Sequence, residues 1–235
     1  MLEARGVRVV RGGKAILRGL DLEAKQGELV GVLGPSGAGK STLFRVLVGE
    51  TQADAGTVAL EGVDVTRWPL WRRARAGVGY VPQGPSVLWE LTVRGNLETF
   101  RRVARLPPED AGVAAARVGL EDRLEVRAGE LSGGERRRLE LARAVTRAPR
   151  VLVCDEPFAG VDPAGAEKLG KLLRELADGG TTVLLADHHV EEALRVCTRA
   201  VLLLDGVVAV AAAASDFRQD PLVRGRYLGT LQPGG

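Results

Sequence analysis

The run Gly34-Pro35-Ser36-Gly37-Ala38-Gly39-Lys40-Ser41 fits G-x-x-x-x-G-K-[ST], a phosphate-binding loop. Each residue type has a chemical use at its place. Gly37 and Gly39 let the backbone turn tightly and aim its N–H groups at phosphate oxygens. Lys40 can reach the terminal phosphates, and the Ser41 hydroxyl can take a Mg²⁺ position. The apolar run Leu29-Val30-Gly31-Val32-Leu33 comes just before, and the helix-like run from Thr42 to Val48 follows. That strand–loop–helix setting adds the positive end of a helix dipole, which a glycine-rich turn with no ligand would not need.

Two further stretches carry chemistry. Leu131-Ser132-Gly133-Gly134-Glu135 opens a long helix that ends before Pro149, and Ser132 with Glu135 fits a capping box. A Gly-Gly helix start also exposes N–H groups that can hold an anion, so the chain has two helix starts suited to phosphate. The run Val151-Leu152-Val153-Cys154 delivers Asp155 and Glu156 at its end. Asp155 suits Mg²⁺, and Glu156 suits a base or water-positioning role. The strand-like run Thr182–Ala186 ends at Asp187-His188-His189, which places His188 where it could touch a terminal phosphate.

Composition bounds these readings. The chain has 235 residues, 45% of them hydrophobic, and a formal net charge of +3, which suits one α/β unit with a sizeable core. That charge is too small to argue for a nucleic-acid partner. The Arg72–Arg73 and Arg136–Arg138 clusters read as solvated helix faces. Cys154 and Cys197 read as core thiols of a reducing cytosol. The most apolar stretch, Ala200 to Ala214, is broken by Asp205-Gly206 and reads as two strands and a turn rather than a membrane span.

The elements that must position these residues follow from periodicity and turn signals. Strands are predicted at Val7–Val10, Ala15–Leu22, Thr57–Leu60 and Val78–Val81, the last ending at Pro82-Gln83. From about Pro85 to Pro149 the pattern turns helical, with helices predicted over Thr92–Val103 and Pro107–Val118. This reads as a helical subdomain inserted into an α/β core. A helix is predicted over Ala166–Ala177, and one more in the tail from Ser215 to Gly235.

With these motifs in order, the chain resembles an ATP-binding cassette (ABC) ATPase over nearly its whole length. The resemblance implies a P-loop NTPase fold of α/β class: a RecA-like core with an antiparallel β subdomain and an inserted α-helical subdomain. The single ABC domain would comprise 1–84 and 150–215 as core and β subdomain, 85–149 as helical subdomain and 216–235 as tail. ATP would be held by Gly34, Pro35, Ser36, Gly37, Ala38, Gly39, Lys40, Ser41 and Thr42. Ser41, Gln83 and Asp155 would serve Mg²⁺, Glu156 would activate water, and Gln83 and His188 would sense the terminal phosphate. Ser132, Gly133 and Gly134 would contact the nucleotide of a second copy, with Asp162 at the interface of a head-to-tail homodimer holding two ATP. Such a protein works in the cytoplasm, peripheral to the inner face of the cell membrane.

A narrower resemblance is to the ATPase subunits of lipopolysaccharide exporters. It rests on Pro69-Leu70 with Arg73-Ala74-Arg75, on Ser132 through Glu140, on Asp155 through Pro163, and on Arg226-Tyr227-Leu228-Gly229. It implies two membrane partner subunits, docking near Ser86–Leu91, where Ser86, Val87, Leu88, Trp89 and Leu91 form an apolar patch. The chain departs from the family in three places, one of them within this patch, where the exporters' aromatic position is Leu88, with Trp89 next to it. The usually aromatic adenine-stacking position is Val10, beside Arg11, and the Asn expected after the switch histidine is His189. Two rival readings are an importer ATPase for branched-chain amino acids and a soluble ABC ATPase working on a scaffold.

Overall fold

The structure is a computed structural model that describes residues 1–107 and 110–230. Two sheets organise it. The smaller is antiparallel and contains β1 (Leu2–Arg11), β2 (Lys14–Ala24), β4 (Ala55–Leu60) and β5 (Val63–Asp64), in the order β2-β1-β4-β5. The larger has six strands, with β3 (Leu29–Leu33), β6 (Val78–Val81), β7 (Val151–Asp155), β8 (Thr182–Ala186), β9 (Arg199–Leu204) and β10 (Val207–Ala213) ordered β10-β9-β3-β8-β7-β6. All of its neighbours pair in parallel except β10, which returns antiparallel beside β9.

The central strands are apolar throughout because both faces are covered. On β3, Leu29 and Leu33 enter one core while Val30 and Val32 enter the other. On β7, Leu152 and Cys154 oppose Val151 and Val153 in the same way. One core lies between the two sheets around α1 (Lys40–Val48), and the other lies under most of the remaining helices. Helix α2 (Leu70–Arg75) lies beside α1, and the helices over the second core are α3 (Val93–Val103), α4 (Ala111–Ala116), α5 (Gly133–Val145), α6 (Pro163–Asp178), α7 (Val190–Val196), α8 (Ala214–Phe217) and α9 (Pro221–Arg226). Among the described residues, no helix is long and apolar enough to cross a membrane.

Several expected boundaries move, each for a local reason. Within the predicted helix over Pro107–Val118, the first described turn begins only at Ala111, because the Asp110 carboxylate caps it by accepting the Gly112 N–H. Helix α6 starts at Pro163 rather than Ala166: Asp162 caps it, and proline is well suited to a first helical position. The tail forms two short helices where one was expected, since Asp220 starts a new turn at Pro221. Residues 231–235 of that expectation, with Pro108 and Glu109, lie outside the described residues.

The arginine clusters are corrected more sharply. Arg73 is only 1% exposed and lies beneath α1 rather than in solvent. Arg137 and Arg143 are buried on α5. Arg72 is exposed, as expected, with its guanidinium over the Trp68 ring at 3.9 Å. The periodicity of these runs does place arginines on helices, but the inward ones find main-chain carbonyl groups to donate to, which is what makes a buried guanidinium tolerable.

Candidate functional site

Parallel strands deliver their carboxyl ends to one edge of the sheet, and the candidate residues leave from that edge. Strand β3 leads into Gly34, β6 into Pro82-Gln83, β7 ends at Asp155 before Glu156, and β8 leads into Asp187-His188. The result is a cleft of about 310 Å³ lined by Ile16, Ser36, Gly37, Gly39, Lys40, Ser41, Thr42, Gln83, Glu156 and His188.

The loop at the centre of this edge needs its glycines. Gly34 has φ +153, and a Cβ there would stand 2.3 Å from the Leu203 carbonyl oxygen. Gly39, the N-cap of α1, has φ +107, and a Cβ would meet Leu17 at 2.9 Å. With no capping side chain, the first N–H groups of α1 remain free to face an anion. The Lys40 ammonium donates to the Gly34 and Pro35 carbonyls at 2.6 and 3.0 Å. Burial lowers its pKa, against the pull of Asp155 and Glu156.

Two side chains converge on one oxygen of a third. Gln83 Nε2 donates to Glu156 Oε1 at 2.8 Å, and His188 Nε2 lies 2.8 Å from the same oxygen. Asp155 is 2% exposed; burial raises its pKa, partly offset by a hydrogen bond from Ser41, while the Glu156 charge raises it further. Glu156 sits in the left-handed region at φ +58, and its N–H donates to the Ala186 carbonyl at 2.7 Å. Such a backbone in a non-glycine residue costs on the order of 1–3 kcal/mol and is found where a site over-determines it.

The second set stands elsewhere. Ser132, Gly133, Gly134 and Asp162 do not line the cleft. The capping box at Ser132 is present: Glu135 N–H donates to Ser132 Oγ at 3.2 Å, and Ser132 N–H donates to Glu135 Oε2 at 2.8 Å. Ser132 and Gly133 are exposed, whereas Gly134 packs under Gly160. The exposed Asp162 accepts the Gly165 N–H at 3.0 Å, a bond that lowers its pKa. Val10 is also outside the cleft, and the Arg11 guanidinium donates to the Val10 carbonyl at 2.7 Å and pairs with Asp54.

The family model described as ABC transporter matches residues 17–159. The chain belongs to the ABC transporter family. As an ABC cassette it is an ATPase, and its fold superposes on solved cassettes. One is an ATP-binding cassette of an ABC transporter in its ADP conformation, with a TM-score of 0.85, 27% identity, and 97% and 98% of the two chains covered. Another is a dimeric bacterial ABC transporter cassette, at TM-score 0.81, 26% identity, and 91% and 99%. In sequence the cassette is 38% identical over 233 residues to the lipopolysaccharide export system ATP-binding protein LptB of Acidithiobacillus ferridurans, covering 97% of each chain. The protein of that name in Escherichia coli K12 is 36% identical over 233 residues, again with 97% of each covered. An uncharacterized ABC transporter ATP-binding protein of Rhizobium meliloti is 40% identical over 237 residues, covering 97% of this chain and 86% of that one.

Sequence reasoning passed over three residues that support the cassette's edge. Asp187, 1% exposed, accepts the Phe158 N–H at 2.9 Å and both the backbone N–H and Nδ1 of His189, the residue that replaces the expected Asn. The Tyr227 hydroxyl hydrogen-bonds the Gly34 backbone from the tail. Arg137 donates to the carbonyls of Asp155, Glu156 and Pro82. The available signal for Arg137 was its i,i+3 spacing with Glu140 on the inward face of α5.

Proposed function

We propose that the cassette is the ATP-hydrolysing subunit of an exporter that draws a lipopolysaccharide-like glycolipid out of a membrane through integral membrane subunits. The observation that carries this reading is the similarity to proteins named for lipopolysaccharide export across 97% of both chains. A surface suited to the membrane subunits supports it. Leu88, Trp89 and Leu91 are 37%, 46% and 37% exposed, while Val87 just before them is buried and anchors the segment. Beside them runs a cleft of about 250 Å³ lined by residues that include Leu70, Tyr80 and Phe100. Exposed apolar side chains grouped on one face mark an interaction site.

The chemistry follows from the cleft. The loop N–H groups and Lys40 would cradle the β- and γ-phosphates of ATP. The hydroxyl of Ser41, the Asp155 carboxylate and the Gln83 carboxamide are hard oxygen donors and would hold Mg²⁺, the first two already joined by a hydrogen bond. When bound, Mg²⁺ would neutralise charge on the phosphoryl oxygens. Glu156 would orient the attacking water and take its proton, exchanging the contacts from Gln83 and His188 for that water. His188 would then turn to the γ-phosphate. A second copy packed head to tail would bring Ser132, Gly133 and Gly134 onto each ATP, with Asp162 at the seam. Docked in this way, the protein would work as a peripheral subunit on the cytoplasmic face of the membrane.

The test is capture of tagged Glu156→Gln protein, with Mg-ATP, from detergent-solubilised membranes. Glu156→Gln should lower kcat by at least about a hundredfold while ATP still binds. Small membrane subunits with a bridge to the outer envelope are the expected company. Large permeases with a solute-binding protein would replace the export reading by import, and soluble partners alone would remove the transport reading.

A further inference from the structure

Helix α5 carries a buried polar chain that the hydrolysis chemistry does not require. At one end, Arg137 donates to the Glu156 carbonyl at 3.0 Å, to the Pro82 carbonyl at 2.5 Å and to the Asp155 carbonyl. It therefore grips the main chain of both acids and of the residue before Gln83. Its Nη1 also pairs with Glu140 Oε2 at 2.8 Å, the two side chains being 7% and 3% exposed. At the other end, Glu140 Oε1 accepts the Ser86 N–H at 2.5 Å and the Ser86 hydroxyl at 3.2 Å. One turn on, Arg143 donates to the Ser86 carbonyl at 2.8 Å. Fully buried Asn96 clamps the next residues, accepting the Leu88 N–H at 2.9 Å and donating to the Leu88 carbonyl at 3.0 Å.

We infer that Arg137 and Glu140 are a positioning pair that couples the Ser86–Leu91 surface to the backbone of Asp155 and Glu156. The pair adds a function to residues that touch neither ATP nor the reacting atoms. It rests on the docking reading only for what the surface binds, since the coupling is internal to the chain. Three physical points carry it. Glu156 is held at a strained φ of +58, so its carboxylate stands where it does only while its own N–H and carbonyl are both restrained. The Glu156 carbonyl is restrained by Arg137 at 3.0 Å and by the Ala159 N–H at 3.2 Å, and of the two only Arg137 also reaches Asp155 and Pro82. Buried charge-assisted hydrogen bonds are short and directional, so a shift of Ser86 is passed on rather than absorbed. A buried ion pair is by itself weak evidence of a stability role, and Arg137–Glu140 stands where it joins Ser86 to the main chain of the acids.

The test uses the whole chain labelled with 5-fluorotryptophan, whose three fluorine resonances come from Trp68, Trp71 and Trp89. The Trp89 line is assigned by Trp89→Phe. Trp89 is 46% exposed and outside the nucleotide cleft, so its line reports movement of the docking segment relative to its neighbours, among them Arg136 of α5, which lies over the ring at 5.3 Å. A non-hydrolysable ATP analogue with Mg²⁺ is expected to shift it. In Glu140→Gln, which cannot accept from both Ser86 and Arg137, the analogue should bind within about threefold of the parent affinity while the Trp89 shift falls below about a third. In the same variant kcat, taken per folded site counted by titration with the analogue, should fall about tenfold with KM changed less than about threefold, so that a smaller folded fraction does not account for the loss. Should Glu140→Gln not fold, Arg137→Lys keeps the charge but cannot span three carbonyls, and the same two readouts apply. A parent Trp89 line that ignores the analogue overturns the inference. So does a variant that keeps both the shift and a kcat within about twofold. Neither result depends on which partner the membrane capture finds.

Discussion

Asp155 shows what a buried carboxylate at a metal-ready position does to the fold around it. Burial and the neighbouring Glu156 charge raise its pKa above the ordinary 3.8, although Ser41 donates to it. The folded chain therefore holds this proton more tightly than the unfolded chain. Stability falls as pH rises from the unfolded value through the raised folded one, and at neutral pH the ionised Asp155 opposes folding. Asp155→Asn keeps an acceptor for the Ser41 hydroxyl and removes the charge. Its Tm without nucleotide should rise by roughly 2–4 °C at pH 7.5, with the gain shrinking below pH 5 or so, while Mg²⁺-dependent ATP hydrolysis drops at least about a hundredfold. Thermal scans at both pH values and a phosphate-release assay check it; an unchanged Tm would mean the charge is compensated. The side chains gathered in the cleft were legible in sequence because phosphate chemistry restricts each position to a few residue types. The supporting Asp187 and Tyr227 were not, because their roles are set by what packs against them, and neither residue type nor spacing carries that information.

At the scale of elements, the phosphate-loop helix depends on a residue from another element. Arg73 of α2 donates to the Val46 and Leu47 carbonyls at the end of α1, both at 2.8 Å, and to the Trp68 and Thr66 carbonyls at 3.1 and 2.9 Å. It thus donates to the last carbonyls of α1, of which Val46 also accepts the Gly49 N–H, and places a cation at the negative end of the α1 dipole. Burial lowers its pKa to about 10, still well above neutrality, so the charge persists. Arg73→Met leaves four carbonyls without this donor and should cost about 3 kcal/mol, read as a lower urea midpoint with an unchanged m-value. A cost under about 0.5 kcal/mol would show that water replaces the guanidinium. Strands β6 and β8 match the ranges expected from sequence because apolar runs ending in turn signals admit few alternatives. The helix ends at Asp110, Asp162 and Asp220 were misplaced because a capping carboxylate sets them and the apolar period does not register it.

For the whole molecule, the proposed head-to-tail dimer asks for half a site on each of two faces. The cleft offers loop N–H groups, Lys40 and the acids, while exposed Ser132 and Gly133 stand apart on the N-terminus of α5. Ser132 Oγ accepts the Glu135 N–H and so keeps its own proton to donate outward. Two copies packed head to tail would place that donor and the exposed N–H groups on the phosphate held by the partner. This makes ATP itself part of the interface and dimerisation dependent on it. Gly133 is the position to test, because a Cβ there meets nothing within 4 Å and a side chain can be added without disturbing the fold. An aspartate at a helix start is also compatible with the helix, so Gly133→Asp should fold with an unchanged Tm. Its carboxylate would nevertheless face the γ-phosphate across the seam, where like charges repel strongly once water is excluded. The expected outcome is that Glu156→Gln with Mg-ATP elutes as a dimer. Glu156→Gln combined with Gly133→Asp should stay monomeric while binding a fluorescent ATP analogue within about threefold of the parent affinity. In the otherwise unaltered chain, Gly133→Asp should lower hydrolysis at least about a hundredfold. A Gly133→Asp protein that dimerises and turns over like its parent would mean that the α5 N-terminus does not meet the phosphate, and each cleft would then have to complete its chemistry within one chain.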